Sequence, residues 1–269
     1  MHEFGNRKLL WSLAGAVMSF LYAPIVVMMI FSFNGTNYTT LPWGGFSFMW
    51  YEKLMTDQAM LSSVGNSVYV AVGVVLLGTL FGVPAAMALD RYRFPGKEVF
   101  RRIVLLPIVL PGVITGVALL SFYVLIGFHL SLYTIMLGQG TGLMCITITE
   151  VFARLQQTGK SQEEAAFDLG ATQFEVFTKV TLPSIKTAVY GAVLITFSIS
   201  FDEIAVTYLL TGRQNTLPMQ LWSMLRREAT PEINAIATLV VLASIVLITI
   251  GIRLSRGTSS HPPIREESV

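Results

Sequence analysis

The 269-residue chain is 53% hydrophobic and only 13% charged, with a formal net charge of +2 at pH 7. Soluble domains carry roughly 25% charged residues, so this composition excludes an ordinary soluble domain and describes a membrane protein. The single cysteine, Cys145, lies in an apolar run and excludes an intrachain disulfide or a cysteine-based metal cluster.

Residues 9–33 follow Arg7 and Lys8. They outrun the roughly 7–15 apolar residues of a signal-peptide core, end on Asn34, Gly35 and Thr36 without an Ala-x-Ala site, and are long enough to cross a hydrocarbon layer of about 30 Å. They read as a first span behind a short amino-terminal segment, residues 1–8. The loop 34–61 carries Trp43, Trp50 and Tyr51, as an interfacial aromatic belt would, with a short surface helix expected around residues 47–55. A second span covers 64–89. The basic loop 90–102 reads as an anchor at anionic headgroups. A third span, 103–128, is interrupted by Pro107 and Pro111. The pairs Gly78/Gly82 and Gly112/Gly116 suit close packing of the second and third spans on neighbouring helices.

A hairpin at 127–131 leads into a fourth span, 130–155, where Glu150 and Arg154 are spaced for an ion pair one turn apart. Thr158-Gly159-Lys160-Ser161 echoes a phosphate-binding loop but lacks its first glycine, where Arg154 stands, and an upstream strand. His2, His129 and His261 lie on three separate segments and assemble neither a metal site nor a catalytic base.

Residues 161–183 form a polar insert. Ser161 with Glu164, and Thr172 with Glu175, have the spacing of capping boxes. Gly170 lies between them as a left-handed elbow, so two short helices, 163–169 and 173–180, are expected, the second ended by Pro183. On the first, Glu164 and Asp168 form an acidic side, opposite Ala165, Ala166 and Leu169. A fifth span, 188–210, holds Asp202 and Glu203 at membrane depth, where a charge costs about 2.5–3.5 kcal/mol on the insertion scale and usually faces a cavity or a partner. Adjacent helical residues point about 100° apart, so one of the two should dominate. A sixth span covers 236–252, and the tail 257–269 reads as disordered. Residues 9–256 thus make one six-helix membrane domain. With the amino terminus inside, fourteen of the 18 Lys and Arg fall on inner segments, so both termini and the polar insert should face the cytoplasm.

The run Glu164-Ala165-Ala166, Gly170 and Val180-Thr181-Leu182-Pro183 resembles the EAA loop of binding-protein-dependent ABC import permeases, with Val180 where the family usually has Ile. In that family the loop docks on an ATPase subunit. The resemblance makes Glu164, Ala165, Ala166, Gly170, Leu182 and Pro183 the expected coupling residues. It extends through Phe33-Asn34, Trp50-Tyr51, Arg91-Tyr92-Arg93-Phe94, the acidic pair, Leu217-Pro218, Trp222-Ser223-Met224 and Pro231-Glu232. Over that length the chain is similar to the second permease subunits of spermidine/putrescine importers.

The resemblance implies an all-α, type I importer permease fold in the bacterial inner membrane. The implied partners are a homologous second permease, two ATPase subunits and an extracytoplasmic binding protein, with no nucleic acid. ATP and Mg would belong to the ATPases, with no cofactor on this chain. It also implies a polyamine pathway past Asp202 and Glu203, and a re-entrant outer gate at 217–225 with Leu221, Trp222 and Leu225. Trp222 replaces the tyrosine of some relatives, and Glu203 replaces an Asp. Related permeases carry iron, phosphonates or amino acids on the same scaffold. A rival of another class is a proton-coupled secondary transporter using the two acids, which should show an inverted repeat.

Overall fold

The structure, a computed structural model, describes residues 2–39, 41–227 and 230–256. Among them the chain is helical, and its extended pairing is a single bridge between Asn34 and Phe46. The helices are α1 (His2–Phe31), α2 (Met49–Thr56), α3 (Gln58–Arg91), α4 (Lys97–Val109), α5 (Gly112–Leu125), α6 (Leu132–Thr158), α7 (Ser161–Asp168), α8 (Gln173–Val176), α9 (Leu182–Phe201), α10 (Ala205–Leu210), α11 (Leu217–Arg227) and α12 (Pro231–Arg256). The expected tail, 257–269, lies outside the described residues.

Two compact units divide the chain, one from 1–61 with 221–248, the other from 62–220 with the carboxyl-terminal residues. In the first, α1 exposes its apolar side chains all round, as a helix facing lipid does. The loop after it folds on Trp50, which is 4% exposed and donates its indole N–H to the Asn34 carbonyl at 2.8 Å. Trp50 is therefore a buried anchor and not part of an interfacial belt, because its N–H finds a partner inside. Phe33, Phe46, Phe48 and Tyr51 pack around one another beside it. The expected surface helix is α2, whose Lys53 pairs with the buried Glu232 of α12 at 2.6 Å.

In the second unit α6 is the central helix. Ile135 and Leu132 pack with Val70 and Val74 of α3, Tyr123 of α5 and Val206 and Leu210 of α10. About four to six turns further on, Ile148, Val151 and Leu155 pack with Val83, Ala86 and Leu89 of α3 and Ile185 of α9. Lipid is as apolar as these side chains, so contact depends on close fit and not on expulsion of water. The glycine pairs supply it. A Cβ at Gly82 would lie 2.9 Å from the Thr147 Cβ on α6, and one at Gly116 would lie 2.7 Å from Leu209 of α10.

Among the described residues, four helices are long and apolar enough to cross a membrane: residues Arg7–Phe31 of α1, then α3, α6 and the continuous stretch Gln173–Phe201. α4 and α5 would make a fifth span together, but they meet at 108°. The interruption expected in the third span falls at Pro111 as a sharp bend, while Pro107 stays inside α4. Leu110 and Pro111 are extended between the two halves, because Pro111 has no N–H to continue the ladder and disfavours a helical residue before it. The expected sixth span corresponds to α12, whose apolar part is Pro231–Val246.

Candidate functional site

The polar insert is built from two turns and a glycine. α7 begins after Gly159, whose φ of +72° ends α6, and Lys160 is its cap residue, without a side-chain bond. Ser161 is already helical, so the expected Ser161/Glu164 box does not form: a capping serine must stand outside the helix. The elbow is as expected. Gly170 has φ +85°, and the Ala171 N–H reaches back to the Ala166 carbonyl at 3.1 Å, which is the six-to-one bond of a Schellman ending.

The second box is complete. The Thr172 N–H and hydroxyl both donate to Glu175 Oε2, at 3.0 and 2.9 Å, and the Glu175 N–H returns to Thr172 Oγ1. Lys179 Nζ holds the other carboxylate oxygen at 3.0 Å.

Pro183 does not end the second helix. A π-turn, Phe177–Thr181, follows α8, and the Leu182 N–H bonds the Phe177 carbonyl five residues back. The wider turn absorbs the missing proline N–H, Pro183 sits in the first turn of α9, and the helix runs on to Phe201.

A three-residue latch fastens the insert to the rest of the unit. The Arg91 guanidinium, at the last residue of α3, pairs with Glu163 Oε1 and donates to Thr181 Oγ1 at 2.8 Å. The Thr181 hydroxyl donates to the same Glu163 oxygen at 2.6 Å. Thr181 is fully buried, and the two charged side chains are 21% and 15% exposed. In the sequence Arg91 and Thr181 stand out only as parts of the family resemblance and Glu163 only as the start of an expected helix, and no local spacing joins Arg91 to Glu163.

The family-pattern residues lie on the other side. Glu164, Ala165, Gly170, Leu182 and Pro183 are exposed, with Ala166 half-buried. Gln162, Ala165, Ala166, Leu169, Val180 and Pro183 line an open groove of about 620 Å³. Leu169 and Phe174, 90% and 74% exposed, stand at its elbow.

The acidic pair does not lie on a continuous helix. α9 stops at Phe201 and α10 starts at Ala205, so Asp202 to Ile204 form a break. The two acids therefore do not stand 100° apart on one helix; the break separates them. The Glu203 side chain accepts the Val206 N–H at 2.9 Å and fills one of the orphan donors at the start of α10. Asp202 is exposed, and its carboxylate makes no hydrogen bond or ion pair among the described residues. Gly112 opens α5 against this break: a Cβ there would lie 3.2 Å from the Ala205 Cβ and 3.7 Å from Glu203 Oε1. Two interrupted helices thus meet, the bend before α5 and the break before α10.

Arg154 donates to the Ser184 carbonyl at 3.1 Å, and the ion pairs among the described residues do not include Glu150. Of the expected gate residues, Trp222 and Leu225 are exposed and Leu221 half-buried on α11, with Arg226 over the Trp222 ring at 5.2 Å. At its start, the Leu217 N–H donates to Ser67 Oγ on α3 at 2.8 Å.

The sequence matches, over residues 78–257, the family described as binding-protein-dependent transport system inner membrane component. It is 37% identical over 230 residues to the putrescine transport system permease protein PotI of Escherichia coli K12, covering 82% of each chain. It is 32% identical over 241 residues to the spermidine/putrescine transport system permease protein PotC of Haemophilus influenzae, covering 89% of this chain and 93% of that one. A chain in the crystal structure of a bacterial alginate ABC transporter, in complex with a pentasaccharide-bound periplasmic protein, superposes with a TM-score of 0.74 at 16% identity. That match covers 97% of this chain and 99% of the other.

Proposed function

This chain belongs to the binding-protein-dependent transport system inner membrane components, and from that premise we propose that it is a six-span permease subunit moving polyamines into a bacterial cytoplasm. It works with a homologous second permease, two ATPase subunits that hold ATP and Mg, and an extracytoplasmic binding protein. The exposed groove beside Glu164, Ala165, Ala166, Gly170, Leu182 and Pro183 receives the ATPase. The count of basic residues along the sequence supports a cytoplasmic side for this loop and for both termini. Leu221, Trp222 and Leu225 form the outer gate.

The observation that carries the choice of cargo is the free Asp202 carboxylate at the break. A bare carboxylate at membrane depth is costly unless a cation or a water-filled cavity meets it. It follows the carboxyl end of α9, whose unpaired carbonyls carry partial negative charge, so helix end and side chain attract the same sign. An alkyl diamine or triamine supplies that sign at spaced points, with a short apolar chain between. The relatives transport putrescine and spermidine, as their names state.

In each cycle, closure of the ATPases draws the coupling loops together, and the latch at Arg91 passes the movement to α3 and α9. The test is Asp202→Asn in the assembled transporter. Apparent affinity for spermidine should fall about ten- to a hundredfold, the worth of one charge-assisted contact, with basal ATP hydrolysis kept. Unchanged affinity and rate would remove Asp202 from the pathway.

A further inference from the structure

The break between α9 and α10 is spanned by one buried amide. Gln139 of α6 is 3% exposed. Its Oε1 accepts the Ser200 hydroxyl at 2.5 Å, on the last turn of α9, and its Nε2 donates to Thr207 Oγ1 at 2.8 Å, on α10. Ser200 is 4% exposed and Thr207 is fully buried. The amide therefore ties down one residue on each side of the gap that contains Asp202 and Glu203.

A glutamine in an apolar interior is costly unless both ends of its amide are bonded, and here both are. The bridge also has a fixed reach. With about 2.3 Å between the amide oxygen and nitrogen, the two hydroxyl oxygens stand no more than about 8 Å apart. Seven residues of continuous helix advance about 10 Å, so the bridge matches the interrupted chain and falls short of an unbroken one.

The neighbours of Gln139 allow the approach. A Cβ at Gly138 would lie 2.5 Å from Leu210 Cδ1, and one at Gly140 would lie 2.9 Å from Leu77 Cδ1. Thr134, one turn before, stands 2.9 Å from the Leu210 carbonyl at the far end of α10. α6 therefore grips α10 at both ends.

We propose that Gln139 is the positioning residue that holds the α9–α10 break open and so presents Asp202 to the cationic cargo. Gln139 does not touch the cargo. It acts through Ser200 and Thr207, and the proposal rests on the reading of Asp202 given above.

The test uses the assembled transporter in lipid discs, with Cys145 replaced and spin labels on α9 and α10 at the exposed positions Leu194 and Tyr208. Gln139→Met keeps length and removes both bonds. Thr207→Val removes one bond and is the milder variant should Gln139→Met assemble poorly. The 194–208 distance distribution should shift or broaden in both, and the double variant should be no worse than Gln139→Met alone, because the two changes break the same bridge. The apparent KM for spermidine should rise about five- to tenfold with basal ATP hydrolysis unchanged. An unchanged distance distribution in both variants overturns the proposal. So does a shifted distribution with unchanged KM, provided that Asp202→Asn does raise KM. If Asp202→Asn also leaves KM unchanged while the distribution shifts, Gln139 still holds the break, and it is the assignment of Asp202 that falls.

Discussion

Arg91 and Glu163 stand 72 positions apart, yet with Thr181 they share one hydrogen-bonded corner. Truncating Arg91 to Ala leaves the mostly buried Glu163 carboxylate without its cation, a loss of about 1–3 kcal/mol. The expected outcome is an assembled transporter whose ATP hydrolysis is no longer stimulated by the loaded binding protein, with partial recovery when the charges are exchanged as Arg91→Glu with Glu163→Arg. Gly170 gives a second prediction at this scale. Its φ of +85° costs an L-residue roughly 1–2 kcal/mol, although the space around it is open. Gly170→Val should therefore insert and assemble but lose about 5- to 30-fold in stimulated hydrolysis, and normal stimulation would contradict the elbow's role. Local signals were legible here: Thr172 and Glu175 stand three apart, and Gly170 sits where a helix must stop. The Ser161 box was misread because Gly159 set the boundary earlier. The latch was invisible because its residues meet only in three dimensions.

Helix lengths were readable from runs of apolar residues, and the two interruptions were readable to different degrees. Pro111 announced the bend between α4 and α5, while its size of 108° depends on packing against other helices. The break at 202–204 contains neither proline nor glycine, so only the capping by Glu203 and the bridge from Gln139 reveal it. Pro183 misled in the opposite direction, since a π-turn carries the helix past it. Packing at this scale is testable with two alanines. Gly82→Ala puts a Cβ 2.9 Å from Thr147 and should lower stability in detergent by about 1–3 kcal/mol, whereas Gly142→Ala meets nothing within 4 Å and should be tolerated. Equal thermal midpoints for the two variants would deny the close α3–α6 contact.

For the molecule as a whole, the proposed orientation rests on the distribution of charge along the sequence: with the amino terminus inside, fourteen of the 18 basic side chains would fall on inner segments. Reporter fusions after Lys160 and Arg256 should score cytoplasmic and one after Lys53 external, and a reversal at any of them would revise the six-span topology. On the proposed function, this chain moves polyamine only as part of an ATP-driven assembly. The most direct test is uptake of labelled spermidine into proteoliposomes holding this chain alone, or this chain with the second permease, the ATPases and the loaded binding protein. The account predicts uptake by the full assembly that requires ATP and survives collapse of the proton gradient. Uptake by the chain alone, driven by that gradient, would contradict it.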